Sequence, residues 1–210
     1  MSRIAILGAS GQLGDHLVNF ALGAGWQVHA LTRDPRRIRK ANENLTIYKG
    51  DLEEPAGLES FLTGCRFVVY SVTAASTSQY MANLVQAIGF KKVDRLVFIS
   101  RLGVGDSELQ ARKASGMLAS VLPRVRKGLY GDMGHAEELL RLSGLPYSIF
   151  RTTELTDEPP GHELEAVTAE SDRPPSRVGR ADLARFVIQS LEEPAWNLQE
   201  VTVGTRRRGT

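Results

Sequence analysis

The run Ile4-Ala5-Ile6-Leu7-Gly8-Ala9-Ser10-Gly11-Gln12-Leu13-Gly14 reads, in order, as a strand, a glycine turn and the start of a helix. Each glycine has its own physical reason to be there. Gly8 lets the chain turn tightly as it leaves the strand. Gly11 has no Cβ, so a pyrophosphate can approach the backbone. Gly14 lets the helix pack close to the strand. An anion is then favoured at the helix N-terminus, where free N–H groups and the positive dipole end meet it. A glycine triple alone is a weak signal, but this one follows a strand and opens a helix, as dinucleotide binding requires. Gly8, Ser10, Gly11, Gln12, Leu13 and Gly14 are therefore candidate cofactor ligands.

The alternation continues down the chain. Further strands are expected at Gln27–Leu31, Leu45–Lys49, Phe67–Ser71, Arg95–Ser100, Tyr147–Arg151 and Glu200–Val203, after a first strand at Arg3–Leu7. Helices are expected at Gln12–Ala24, Ala56–Leu62, Ser78–Ile88, Gly134–Leu142 and Arg180–Leu191. Continuous apolar strands such as Phe67-Val68-Val69-Tyr70 suit a parallel sheet buried on both faces. The expected fold is α/β, a Rossmann-like doubly wound parallel sheet forming a single domain over residues 1–210. Two segments break the rhythm: 101–130, with a short helix expected near Met117–Leu122, and 152–178, which carries Pro159-Pro160 and Pro174-Pro175. Both leave the C-terminal ends of strands, where ligands bind in open α/β sheets, so they are expected to form the substrate wall.

Composition sets limits on function. A hydrophobic content of 42%, a charged content of 24% and a net charge of +2 describe an ordinary soluble domain with no electrostatic case for nucleic acid. The basic run Arg206-Arg207-Arg208 reads as a solvated tail. The single Cys65 excludes an internal disulfide framework, fits a reducing cytoplasm, and follows Gly64 at the edge of an apolar run, so it reads as core. No apolar stretch reaches the ~20 residues that span a bilayer. No signal peptide is read at the N-terminus, and no His/Cys/Asp grouping has metal-ligand spacing. A small-molecule partner, no nucleic acid, no membrane, and a monomer or homodimer are the expectations.

The end of the second strand bears on the choice of dinucleotide. A ribose-binding Asp or Glu is usual there in NAD proteins, but this chain reads Leu31-Thr32-Arg33-Asp34-Pro35-Arg36-Arg37. Arg33 holds the discriminating place, and a guanidinium can fork onto a 2′-phosphate. Arg36 and Arg37 add positive charge, and Ser10 offers a hydroxyl to the same phosphate. Asp34 is the dissenting residue, since a carboxylate there suits a free ribose. NADP(H) is the expected cofactor. Asp51, in Gly50-Asp51-Leu52 after the third strand, either meets the adenine amino group or caps the next helix. Thr73 is expected along the cofactor's ribose and diphosphate.

Together with Phe98-Ile99-Ser100-Arg101-Leu102-Gly103-Val104-Gly105-Asp106-Ser107 and Glu137-Glu138-Leu139-Leu140-Arg141-Leu142-Ser143-Gly144-Leu145-Pro146-Tyr147, these motifs resemble the atypical short-chain dehydrogenase/reductases. Most similar are the NmrA-like proteins and the biliverdin-IXβ reductase/flavin reductase subgroup. The resemblance covers most of the chain and implies NADP(H) across the strand ends, with a small substrate near the nicotinamide. The departures matter as much. The wider superfamily uses Tyr-x-x-x-Lys, whereas the fourth residue after Tyr130 is Gly134, and Met133 stands where extended relatives have the Lys. Many relatives carry two serines at the fifth strand end, and this chain has Ser100-Arg101. The biliverdin reductase-like proteins carry Pro-Pro-His after the sixth strand, and this chain has Thr152-Thr153-Glu154.

Hydride transfer to a flavin, quinone, enone or tetrapyrrole-like acceptor needs little acid from the protein, whereas a ketone develops an alkoxide. The expected function is an NADPH-dependent reductase of such conjugated acceptors. Ser100, Tyr130 and Glu154 are its candidate catalytic groups, Arg101 is a ligand to a substrate anion or cofactor phosphate, and His135 is a solvated or capping residue. The alternative is a cofactor-binding redox sensor of the NmrA-like kind. An epimerase or dehydratase is disfavoured by the missing Tyr-Lys pair.

Overall fold

The computed structural model describes residues 2–89, 91–115, 127–171 and 173–206. Its centre is an eight-stranded sheet in the order β3-β2-β1-β4-β5-β6-β10-β8. The strands are β1 (Arg3–Leu7), β2 (Gln27–Thr32), β3 (Leu45–Lys49), β4 (Phe67–Tyr70), β5 (Arg95–Arg101), β6 (Tyr147–Thr152), β8 (Leu164–Val167) and β10 (Gln199–Thr205). All ladders are parallel except β10 with β8. The short strands β7 (Leu155–Thr156) and β9 (Val178–Gly179) pair separately.

Alternation in β1 distributes its side chains to two cores. Ile4 and Ile6 join one apolar cluster, Ala5 and Leu7 the other, and all four are completely buried. The first core is closed by α1 (Gln12–Gly23) and α6 (Arg180–Ser190), through Leu17, Val18, Leu183 and Val187. The second is closed by α2 (Leu58–Phe61), α3 (Thr77–Ile88) and α5 (Lys127–Leu142), through Phe61, Met81, Leu84, Met133 and Leu140. Between β3 and α2 the chain passes through a short 3-10 turn, Pro55–Gly57. The chain leaves β1 toward β2 and β3 on one side and reaches β4, β5 and β6 on the other. The order therefore reverses between β1 and β4, which is where a doubly wound sheet opens its crevice.

Some elements differ from the sequence-based expectation. α5 begins at Lys127, not at Gly134. Gly128, Gly131 and Gly134 weaken its first two turns, but Met133 is fully buried and Leu129 and Tyr130 pack on the same core, so tertiary burial outweighs local propensity. α4 (Glu108–Ser115) lies in the first long loop, and its buried Gln110 accepts from Thr202 Oγ1 at 2.6 Å and donates to the Thr168 carbonyl at 2.8 Å. The helix expected near Met117–Leu122 lies outside the described residues. The segment 152–178 contains β7, β8 and the start of β9 rather than irregular chain alone. It is tied down by buried Asp182, which accepts from the backbone N–H of Gly161 (2.9 Å) and His162 (3.1 Å). Arg206 follows β10, its N–H donating to the Glu163 carbonyl at 3.3 Å, while Arg207 and Arg208 lie outside the described residues.

Candidate functional site: a two-part cleft over the strand ends

The β1–α1 turn closes as its glycines require. Gly8 has φ +83°, a region closed to most side chains, and a Cβ there would also lie 2.9 Å from the Ser71 carbonyl oxygen. A Cβ on Gly14 would run into the Gly8 carbonyl. Gly11 caps α1 with no side chain, which leaves the first-turn N–H groups facing the cleft without a side-chain acceptor. Gly14→Ala forces backbone apart and is expected to cost about 1–3 kcal/mol, the range for overpacking. Urea unfolding of the variant reads this directly, and a loss under about 0.5 kcal/mol would contradict the clash.

Two cavities lie end to end over the C-terminal ends of the strands and share Thr73. The first, of about 170 Å³, lies toward β2 and β3 and is lined by Gly8, Ser10, Leu31, Thr32, Arg33, Gly50, Asp51, Leu52, Val72, Thr73, Ala74 and Tyr80. The second, of about 180 Å³, lies toward β5 and β6 and is lined by Gly11, Gln12, Leu13, Gly14, Ser71, Thr73, Ile99, Ser100, Arg101, Thr152, Leu155 and Arg180. Of the residues expected at the cofactor, Gly8, Ser10, Gly11, Gln12, Leu13, Gly14, Arg33, Asp51, Thr73 and Arg101 line one cavity or the other.

Arg37 is the exception. It sits exposed in a 3-10 turn (Pro35–Arg37) and does not line the cleft. Pro35 starts that turn and carries the chain away from the strand end after only two residues. Asp34 also turns aside. Its carboxylate accepts from the Arg36 backbone N–H at 3.2 Å and from Arg36 Nε at 2.9 Å, and the Arg36 hydrogen bond holds it below the usual carboxylate range. Arg33 lines the cavity with no ion-pair partner among the described residues. Thr32 Oγ1 donates to Ser10 Oγ at 3.0 Å and ties the end of β2 to the glycine turn. Asp51 both lines the cavity and accepts from Glu53 N–H at 3.2 Å.

The three candidate catalytic residues do not converge. Ser100 lies at the cavity, but its hydroxyl donates to buried Glu137 on α5 at 2.7 Å. Tyr130 does not line either cavity. It packs into the second core beside Gly103, because α5 starts early and carries it onto the sheet. Glu154 is exposed, and its contribution is a backbone carbonyl that accepts from Val178 N–H at 2.8 Å. His135 is exposed on α5, and Met133, two residues before it, is buried. Burial pushes the Cys65 thiol up to about 12, so it stays protonated, as expected of a core residue.

Sequence reasoning missed Tyr80, whose hydroxyl donates to Glu53 at 2.9 Å, and Arg180. It also missed a buried charge network beside the second cavity. Arg151 is completely buried, and its guanidinium bonds Glu137 at 2.7 Å, Glu200 at 2.9 Å and Asp106 at 2.6 Å. Carboxylate oxygens of these three lie within 4.8 Å of one another, and the guanidinium is the cation among them. Arg141 adds bonds to Glu137, Glu138 and Glu200. Among the described residues no helix is long and apolar enough to cross a membrane.

Comparison with known proteins bears on the fold and the family. The solved structure of ChuY, an anaerobillin reductase from Escherichia coli, superposes with a TM-score of 0.85 at 18% identity, covering 100% of each chain. A short-chain dehydrogenase/reductase from Veillonella parvula in complex with NADP superposes at 0.82 with 23% identity, over 97% of this chain and 94% of that one. Both likenesses show the fold. The oxidoreductase ptaF of Pestalotiopsis fici is 25% identical over 97% of this chain and 84% of its own length. A photosystem II assembly factor of Cyanophora paradoxa is 30% identical over 70% of this chain, and the match spans 44% of that relative's length. The profile of the NAD(P)H-binding family matches residues 8–194, nearly the whole chain, and this protein belongs to that family.

Proposed function

We propose that this protein is an NADPH-dependent reductase that passes a hydride to a small conjugated acceptor of the flavin, quinone, enone or tetrapyrrole-like kind. The observation that carries this reading is the lining of the acceptor end. Its side chains are Gln12, Leu13, Ser71, Thr73, Ile99, Ser100, Arg101, Thr152, Leu155 and Arg180, with no carboxylic acid, imidazole or phenol among them. A ketone's developing alkoxide needs a positioned proton donor. A conjugated acceptor spreads the charge and takes its proton from solvent.

When bound, NADPH supplies the hydride. The chain's own part is to bind and orient. The α1 N-terminus and glycine turn favour a pyrophosphate: Gly8 makes the turn, Gly14 packs the helix against it, and Gly11 presents no Cβ to the approaching phosphates. Arg33 offers a forked donor to a 2′-phosphate, with Ser10 beside it, and the tying of Asp34 to Arg36 removes the competing carboxylate. Thr73 stands where the two ends of the cleft join. The likeness to the oxidoreductases ptaF of Pestalotiopsis fici and aflX of Aspergillus parasiticus supports redox chemistry.

The test is loss of the reduced nicotinamide absorbance with FMN, riboflavin, biliverdin and small quinones and enones, beside a panel of simple ketones. Turnover is expected with at least one conjugated acceptor and with none of the ketones. Tight NADPH binding without turnover on any acceptor would overturn the reductase and favour a redox-sensing binder, which would also need no proton donor in its cleft.

A further inference from the structure

We propose that Tyr80 and Glu53 form a latch across the first cavity, and that their hydrogen bond must part before the dinucleotide can enter or leave. The inference rests on the reading that NADPH occupies that cavity.

The two residues belong to different walls. Glu53 lies in the segment that follows β3, directly after the cavity-lining run Gly50-Asp51-Leu52. Tyr80 lines the cavity from the first turn of α3, which follows β4 and the lining run Val72-Thr73-Ala74. In the sheet, β3 and β4 are three places apart, about 14 Å at the usual spacing between neighbouring strands. The ends of β2 and β1, with Arg33 and the glycine turn, lie between them. The Tyr80 hydroxyl nevertheless donates to the Glu53 carboxylate at 2.9 Å. The bond thus closes a ring of chain around the cavity, from the glycine turn through β2, the segment after β3 and α3 to the segment after β4.

Two hydrogen bonds fasten the segment after β3 to α3, and they differ in kind. Asn83, one turn beyond Tyr80, is buried and donates to the Leu52 carbonyl at 2.7 Å, while its Oδ1 accepts from Gln79 at 3.0 Å. Leu52 is itself buried in the second core, so this end is held. Tyr80 is half-buried and Glu53 exposed, so water can replace their bond at small cost. The latch has a buried hinge at Leu52 and Asn83 and a free end at Glu53 and Tyr80. Tyr80 stays a donor through the neutral range. The Glu53 hydrogen bond, ahead of burial and of the Glu53 and Asp51 charges, holds its phenol above the ordinary value of 10. A bond that the protein makes with itself is available whether or not the dinucleotide is bound, so it slows entry and exit alike. A contact to the ligand slows exit alone.

Stopped-flow fluorescence of the full chain with NADPH reads both rate constants. Tyr80→Phe and Glu53→Ala are each expected to raise association and dissociation together by about 3- to 10-fold, the range a single hydrogen bond supports, and to leave Kd within about 2-fold. The double variant is expected to match either single one, because the two groups act as a unit. Faster dissociation alone, with Kd weakened to match, would overturn the latch and make Tyr80 a ligand contact. Unchanged rates in both single variants, or additive effects in the double, would overturn it as well. The readout is binding rather than turnover, which keeps the two readings apart. Exchange that speeds as expected, without NADPH oxidation on any acceptor, leaves the latch standing and overturns the reductase. Oxidation with exchange rates that the variants do not alter does the reverse. Failure of the unaltered protein to bind NADPH overturns both.

Discussion

Arg151→Met is expected to lower the unfolding free energy by about 3–5 kcal/mol, the cost of breaking a buried ion pair by removing one partner. Arg151 has no exposed surface, and neither has Glu137, so the carboxylate is left with little but Arg141 and the Ser100 hydroxyl to offset its burial. Burial alone would disfavour the charged guanidinium, but Glu137, Asp106 and Glu200 outweigh it and keep Arg151 charged. The lesion is mutual, which a double-mutant cycle can show. Arg151→Met with Glu137→Leu removes both charges and is expected to recover a large part of the loss, because apolar replacement of a whole buried pair is often near neutral. Denaturant midpoints of the single and double variants read this. A single-variant loss below about 1 kcal/mol, or strict additivity in the double, would show that the pair is not coupled.

The network also sets how the protein responds to acid. Burial alone would raise the Glu200 carboxyl, yet the hydrogen bond from Arg141 and the charges of Arg141 and Arg151 prevail and hold it below its ordinary value of 4.5. A group depressed in the folded state adds stability that is fully present above that ordinary value and is lost as pH falls through the folded one. The protein is therefore expected to lose this contribution below about pH 4.5, and the Arg151→Met variant to show a shallower loss over the same window. Through Ser100 and Asp106 the same charges secure the end of β5 and the turn after it, so the variant should also bind acceptor less well.

What could be read from sequence alone divides along a physical line. The β1–α1 turn, Arg33 and Asp51 were legible because the chemistry that places them is local: a glycine at positive φ, a strand end, a residue one step beyond it. Arg180 was not, because it reaches the cleft only when α6 packs beside α1, far away in sequence but adjacent on the same face of the sheet. Nor was the Arg151 network, whose pairs are separated by 14 and 49 residues and join two strands, a helix and a turn. Tyr130 misled for a related reason. Its place in the sequence suggested a loop folding over the substrate, whereas three glycines concealed a helix that turns it into the core.

Arg33→Asp is expected to change the ratio of NADPH to NADH affinity by about 10²- to 10³-fold, since it removes a charge-assisted hydrogen-bond donor and puts a like charge against the 2′-phosphate. The geometry predicts which neighbours matter. Arg33 lines the first cavity beside Ser10 and Gly50, Arg37 does not line it at all, and Arg36 is engaged by Asp34. Arg37→Asp should therefore change the ratio by far less, through long-range charge that added salt screens. The new carboxylate at position 33 stands one residue beyond β2, where a carboxylate can accept from a ribose 2′-hydroxyl, so NADH binding should improve while NADPH binding falls. Fluorescence titration of both cofactors against the three proteins separates the contributions. If Arg33→Asp weakens NADH and NADPH equally, the guanidinium recognises a part of the dinucleotide common to both, such as the adenine ring face. If Arg37→Asp matches it, the discrimination comes from the summed charge of the segment rather than from one side chain in the cleft.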